Sequence, residues 1–289
     1  MKKIILILML TVFGFSYSND KTYNITKNYS VENINSFSLI NRNASIKVLP
    51  TDSKEISLSI TSNIKLEIKK QINSQELKVS VLPPHHIFTF FSKNEYTTIT
   101  VSIPKNLKKE LYILSRNGSI TASDLILNSN FRTRNGSINI SNIKGNSNIN
   151  SRNGEIYINN IDGNVDGKTR NGHITVINSN GYVSLKTHNG SIDLINSSSI
   201  KTLETHNGHI NASSKILLKS GKIKTSNGSL ILNIDKLEGT NEISSSRGHI
   251  TMTTEKGEFN SDSISEDKFK DTSKNITIEG KKINIIIKK

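Results

Sequence analysis

Apolar and polar residues alternate along most of this chain, and the alternation restarts at a fixed interval. Each restart is marked by Ser or Thr, then Arg or His, then Asn-Gly, as in the segment SRNGEIYI at 151–158, which returns as TRNGHITV at 169–176. With the Ser or Thr counted as position 1, position 6 is Ile120, Ile138, Ile156, Ile174, Ile192, Ile210, Leu230 and Ile250. Position 8 is Ala122, Ile140, Ile158, Val176, Leu194, Ala212, Leu232 and Met252. Side chains on a strand alternate between its two faces, so positions 6 and 8 share one face. Position 17 is Phe131, Ile149, Leu185 or Leu203 in four copies, and it points the same way as the next position 1. Each unit therefore reads as two short strands and two turns, one at Asn-Gly and a softer one near position 12, as in Asn142-Ile143-Lys144-Gly145. Period-two alternation with frequent Gly leaves no room for helix.

The glycines of the repeat are Gly118, Gly136, Gly154, Gly172, Gly190, Gly208, Gly228 and Gly248, at steps of 18 that lengthen to 20 for the last two. Residues 41–48, NRNASIKV, fit the same frame with Ala for Gly and read as a degenerate first copy. Two architectures suit such a pattern. Asn-Gly between alternating strands is a hairpin signal, which allows an antiparallel meander or barrel. A parallel β-solenoid is the other, and the unbroken interval favours it. Hairpins can differ in length, whereas stacked coils need equal circumference to keep strands in register ~4.8 Å apart. The expectation is an all-β, single-stranded parallel β-helix of 18 residues per coil with a narrow, two-layered core. The steps of 20 are expected as bulges at the softer turn. Gly is expected to supply a positive φ at the corner. Stacked Asn side chains, and the inward Ser/Thr hydroxyls, are expected to bond from coil to coil.

Residues 51–110 have a different texture, with strands expected at 55–60, 64–69, 76–82 and 96–103. This insertion is placed as a cap on the open N-terminal end of the solenoid, where unpaired strand edges invite aggregation. The apolar segment 87–91, IFTFF, reads as a buried strand or an exposed contact patch. Residues 261–274 are polar and read as a loop, with closing strands at 275–278 and 283–287.

The recurrent N-G-x-[I/L]-x-[I/V/L], the early copy at 41–48 and the segment Val101-Ser102-Ile103-Pro104 ahead of the repeats resemble the bacterial putative-adhesin family of β-strand-repeat domains of unknown function. The resemblance spans roughly residues 37–285. It implies a right-handed β-helix at the cell envelope and implies no catalytic residues. Right-handedness agrees with the general rule for parallel crossovers.

Composition agrees with a thin core. Of 289 residues, 34% are hydrophobic and 6% aromatic, and there is no Trp. Lys2 and Lys3, the apolar run 4–15 and Ser16-Tyr17-Ser18 read as a signal peptide over residues 1–18. That run is too short to span a bilayer, which takes about 20 apolar residues. A β-rich region 19–110 and the repeats with their closing strands, 111–289, would follow. Cleavage would lower the formal charge from +14 to +12 by removing two lysines. The chain has no Cys, which excludes disulfides, thiolate metal sites, a thiol nucleophile and a lipoprotein anchor. The expected destination is the periplasm, the cell surface or the medium.

Position 2 carries the candidate chemistry: Arg116, Arg134, Arg152, Arg170, His188 and His206, followed by Ser226 and Ser246. In a solenoid these project outward as one column. Like charges in neighbouring strands oppose folding, so stability alone does not account for four arginines. The guanidinium fork suits carboxylate, sulfate and phosphate groups. The partners that follow are an anionic surface glycan, lipopolysaccharide or another envelope polymer. Imidazoles would add charge below about pH 6.5. Nucleic acid fits poorly, because the repeat lacks aromatics for base stacking. The simpler reading pairs the arginines with carboxylates such as Glu155 or leaves them solvated.

His173, His209 and His249 sit by the same corner, yet no carboxylate stands at ligand spacing, so neither metal nor cofactor is expected. A polysaccharide-active enzyme would need clustered carboxylates in a groove. Asp162 and Asp166 lie in and after a Gly-rich turn, where Asp is common anyway. The pattern thus points to a non-catalytic, exported, adhesin-like solenoid that binds through a basic stripe. The alternative is a passive or self-associating envelope protein.

Overall fold

The computed structural model describes residues 21–84, 95–105, 107, 110–213, 217–234, 236–238, 241–254, 257–260, 275–278 and 283–288. The expected signal peptide and the apolar segment 87–91 lie outside these residues, as does the loop 261–274. Among the described residues every regular element is a strand.

Alternation dictates two stacks of strands. One stack contains β3 (Ser45–Thr51), β9 (Ile120–Leu125), β11 (Ile138–Lys144) and β13 (Ile156–Asp162), then the first halves of β15 (Ile174–Lys186) and β16 (Ile192–Glu204), then β17 (Ile210–Ser213), β19 (Leu230–Asn233) and β22 (Ile250–Thr254). The other contains β2 (Ser36–Asn41), β8 (Glu110–Leu114), β10 (Asn128–Arg132), β12 (Ser147–Asn150) and β14 (Val165–Lys168), the second halves of β15 and β16, the end of β18 (Leu217–Thr225) and β21 (Asn241–Ser245). Every pairing within these runs is parallel, and through the regular coils residue n lies beside n+18, as in Ile138 with Ile156 and Phe131 with Ile149, while the last coils pair 20 apart, as in Ile210 with Leu230. The fold is the expected parallel β-solenoid.

Positions 6, 8 and 17 turn inward and are buried, from Ile120 and Phe131 to Ile243 and Met252. A Cβ built on Gly167 of β14 would meet Leu185 at 2.9 Å and Ile174 at 3.8 Å, so the two stacks face each other across one narrow apolar layer. Stacking like on like lets a modest hydrophobic fraction form a continuous core.

The insertion lies where a cap is needed, at the N-terminal end. The strands β6 (Glu76–Leu82) and β7 (Thr97–Pro104) pair parallel to β2 and β3 on the side opposite the repeats. They extend the stack by one coil below the degenerate copy. Antiparallel strands then end the stacking: β4 (Glu55–Ser62) on β7, β1 (Tyr23–Ser30) on β4, and β5 (Glu67–Asn73) on β6. The strand expected at 64–69 begins three residues later, at Glu67. At the other end β25 (Ile283–Lys288) lies antiparallel on β21, β24 (Asn275–Ile278) on β25, and β23 (Gly257–Asn260) on β22. Both closing strands are present as expected. Parallel coils in the middle with antiparallel strands at the ends keep the repeating edges from offering a parallel template to another chain.

Two expectations need correction. The repeat glycines do not adopt left-handed φ. The left-handed residues of the regular coils are Asp124, Asn142, Asn160, Asn178 and Asn196, with φ of 51–61°, all at the softer turn. Among the described glycines only Gly145 and Gly163, also at that turn, have positive φ. What demands glycine at the Asn-Gly corner is close approach: a Cβ on Gly154 would lie 2.0 Å from the carbonyl oxygen of Gly136, and one on Gly172 2.1 Å from that of Gly154. The second correction concerns the first step of 20. Ser199 pairs with Leu217 and Ile200 with Leu218, still 18 apart, while Thr202 pairs with Lys222, 20 apart. The two extra residues enter inside β18, between Leu218 and Lys222, and not at the softer turn.

Candidate functional site

The Asn-Gly corner is held by three superposed columns, and their order fixes where the charges go. Position 1 is inward and buried. Its hydroxyl does not bond another hydroxyl but donates to the repeat-glycine carbonyl of the coil below: Thr133 to Gly118 at 3.0 Å, Ser151 to Gly136 at 3.0 Å and Thr169 to Gly154 at 3.1 Å. Position 3 forms an uninterrupted amide ladder. Asn117 donates to Asn43, Asn135 to Asn117, Asn153 to Asn135, and so on through Asn227, with Nδ2–Oδ1 distances of 2.7–2.8 Å. The backbone follows, with Asn135 N donating to Arg116 O at 2.8 Å and Asn153 N to Arg134 O at 2.8 Å. Position 2 lies between an inward residue and a tethered one, so its side chain can only leave the coil.

All six expected site residues fall in that outward column. Arg116, Arg134, Arg152, Arg170, His188 and His206 are exposed and in register. The imidazoles of His188 and His206 stack with centroids 4.8 Å apart and planes 4° from parallel, which reports the coil spacing directly. At that spacing, adjacent unit charges repel by about 1 kcal/mol in water, less once salt screens them. Among the described residues, no ion pair joins these arginines to Glu155 or to any other carboxylate.

Two arginines extend the basic edge beyond the repeat motif. Arg42 occupies position 2 of the degenerate first copy, and its carbonyl accepts from Asn117 N at 2.7 Å, which seats it directly below Arg116. The signal was the sequence NRNA at 41–44. Arg132 is exposed two residues before Arg134, so strand alternation puts both on the same side. Its counterparts Lys168 and Lys186 are engaged, by Asp166 at 3.0 Å and Glu204 at 2.8 Å.

The remaining histidines are committed differently. His173 Nε2 lies 2.9 Å from Asp193, and His209 Nδ1 accepts from Ser229 N at 3.0 Å. Among the described residues no three His, Asp or Glu converge as a metal site. Asp166 is drawn toward Lys168 rather than toward Asp162. Among the described residues no helix is long and apolar enough to cross a membrane.

Against known families, the sequence profile of Toastrack DUF4097 matches residues 34–287. No curated protein matches the chain significantly. Three solved structures share parts of its course. A "putative adhesin" from Bacteroides fragilis is 13% identical, covering 81% of this chain and 98% of its own, with a TM-score of 0.44. A "putative cell adhesion protein" from Clostridium sporogenes is 13% identical, covering 75% and 99%, at 0.34. A "putative lipid binding protein" from Parabacteroides distasonis is 15% identical, covering 82% and 94%, at 0.37. With similarities this low, membership rests on the sequence profile.

Proposed function

The chain belongs to the Toastrack DUF4097 family, and on that footing we propose that it is an exported, non-enzymatic binding protein of the cell envelope whose basic edge engages an anionic polymer. Its partner would be an acidic glycan, the phosphates of lipopolysaccharide or a similar repeating polyanion. The observation that carries this reading is the column Arg42, Arg116, Arg134, Arg152 and Arg170, in register and without carboxylate partners among the described residues. A row of like charges at coil spacing is tolerated at a cost to folding, and a polyanion laid along it would relieve that repulsion. It would also release its own condensed counterions, so binding would be strongly salt-dependent.

The test is binding of heparin, dextran sulfate and lipopolysaccharide to two quadruple variants. Arg116, Arg134, Arg152 and Arg170 changed to Ser should lose binding with the melting temperature retained or raised, because these side chains point to solvent and their mutual repulsion is removed. Exposed Lys27, Lys54, Lys65 and Lys144 changed to Ser lower net charge equally and should matter much less. At a slope of about −0.7 per contact, the single-strand value for nucleic acids, four arginine contacts make affinity fall roughly 50-fold between about 50 and 200 mM salt. Equal losses in both variants would reduce the edge to bulk charge. No binding by the parent at low salt would leave a passive structural role.

A further inference from the structure

A second surface, on the outer face of the stack containing β8, β10, β12 and β14, is built quite unlike the basic edge. It is a groove of about 720 Å³ that runs along the solenoid axis across successive coils. Its floor is a column of amides at position 14: Asn128, Asn146 and Asn164. Each carboxamide is fixed by the backbone of the next coil. Asn146 N donates to Asn128 Oδ1, Asn164 N to Asn146 Oδ1, and Tyr182 N to Asn164 Oδ1, all at 2.9 Å. Because a backbone N–H occupies each oxygen, each Nδ2 is the free end, and none bonds another described residue. Three amide donors are thus presented at coil spacing with no protein acceptor.

Two tyrosines stand along the groove, Tyr112 at the end formed by β8 and Tyr182 further along it, with Lys201 and Ser220 lining it beyond Tyr182. Tyr112 is 37% exposed and Tyr182 is 50% exposed. They stand four coils apart, or ~19 Å at the spacing between strands. Tyr112 donates its hydroxyl to Glu110, which fixes the ring, and that bond, together with burial, pushes the phenol up to about 12, so it stays protonated. The lining carries two carboxylates, Glu110 and Asp166, and one cation, Lys201, and Lys168, beside the lining, lies 3.0 Å from Asp166. In a chain of formal charge +14 this strip is not basic.

We propose that the groove binds an uncharged oligosaccharide chain lying along the solenoid axis. Aromatic rings present an apolar face and a polar tip, which suits the apolar face and hydroxyl rim of a pyranose. Amide donors meet sugar hydroxyl and ring oxygens. The coil spacing is close to the advance per sugar in an extended hexose chain, so successive rings meet equivalent donors. An anionic polymer gains nothing here, since the lining carries no net positive charge, and the site is therefore distinct from the arginine edge.

The test is calorimetric titration of the protein with cellohexaose, laminarihexaose, maltohexaose and chitohexaose at low and high salt. At least one should bind saturably, with affinity unchanged by salt. Tyr182→Ala should weaken binding on the order of tenfold, the loss typical of truncating an aromatic anchor. Tyr182→Phe, which keeps the ring, should stay within about threefold of the parent. Asn146→Asp keeps the oxygen that accepts Asn164 N but removes the donor, and should also weaken binding on the order of tenfold with melting unchanged. The four-arginine variant should bind these sugars as the parent does, so failure of the polyanion reading leaves this one standing, and the reverse. Absence of binding to all four sugars would overturn the proposal. So would parental affinity in both Tyr182→Ala and Asn146→Asp, or equal loss in the four-arginine variant.

Discussion

Replacing Gly154 by Ala should be among the most damaging single changes in the repeat, for a reason that can be separated from backbone conformation. The added Cβ would sit 2.0 Å from Gly136 O, whereas side-chain carbons essentially never come within 3.0 Å of such an atom. The two coils must part by at least the difference, 1.0 Å. Three short bonds bridge them at this corner: Asn153 N to Arg134 O at 2.8 Å, Asn153 Nδ2 to Asn135 Oδ1 at 2.7 Å, and Ser151 Oγ to Gly136 O at 3.0 Å. Stretching each by that amount takes it beyond hydrogen-bonding range. At a net ~1 kcal/mol apiece the loss is about 3 kcal/mol. The smaller entropy of an unfolded chain carrying Ala offsets about 0.4–1 kcal/mol. A net cost of ~2–3 kcal/mol remains, or roughly 5–10 °C in melting temperature for a domain of this size. Thermal melts followed by circular dichroism would measure it, with exposed Glu155→Ala as a control expected within about 0.5 kcal/mol. Gly154→Asn separates the two causes. Asn tolerates left-handed φ but carries a Cβ, so close approach makes it as harmful as Ala. If Gly154→Asn were well tolerated while Gly154→Ala was not, the corner would be a conformational one and the steric account wrong. If Gly154→Ala melted like the parent, the coils would part without cost.

At the softer turn the preferences invert. Asn160 has φ 58° and donates to Asn142 at 2.8 Å, so Asn160→Ala should cost ~2 kcal/mol from left-handed strain plus a lost bond, and Asn160→Gly only ~1 kcal/mol, measured by chemical denaturation. Asp124 begins this ladder by accepting from Asn142 at 2.9 Å, and that bond, with another from Ser123, holds its carboxyl below the ordinary 3.8. A depressed carboxyl stabilises the fold above its unfolded value and ceases to do so as pH falls through its folded value. Acid should therefore lower the melting temperature of the parent more than that of Asp124→Asn, whose amide still accepts from Asn142 without titrating. Parallel acid titrations of the two proteins check the sign.

The spacing of Asn-Gly pairs was enough to place residue n beside n+18, and with it the amide ladder, the inward Ser/Thr and the outward arginines. That inference works because a solenoid is translationally repetitive: one interval states every long-range contact at once. Alternation about that frame likewise identified Ile120, Phe131 and their counterparts as core. The insertion could not be located as firmly, since residues 51–104 have no period to register them. Only the fold shows β6 and β7 lying beneath the first copy, with β1 and β5 as the outer strands. The expectation of positive φ at the repeat glycines failed for a related reason. Local propensity allowed Gly either role, and the carbonyl that forbids a side chain at Gly154 belongs to Gly136, a neighbour in space but 18 residues away in sequence. The groove was equally hidden. Asn128, Asn146 and Asn164 read as ordinary turn residues until the fold showed each oxygen held by the next coil's backbone and each nitrogen left facing outward. Sequence by itself determined the repeat, the register and the charged edge, because these are properties of position within one coil. Tertiary structure alone decided which atoms touch between coils, and so which small residues are obligatory and which polar groups remain free to bind.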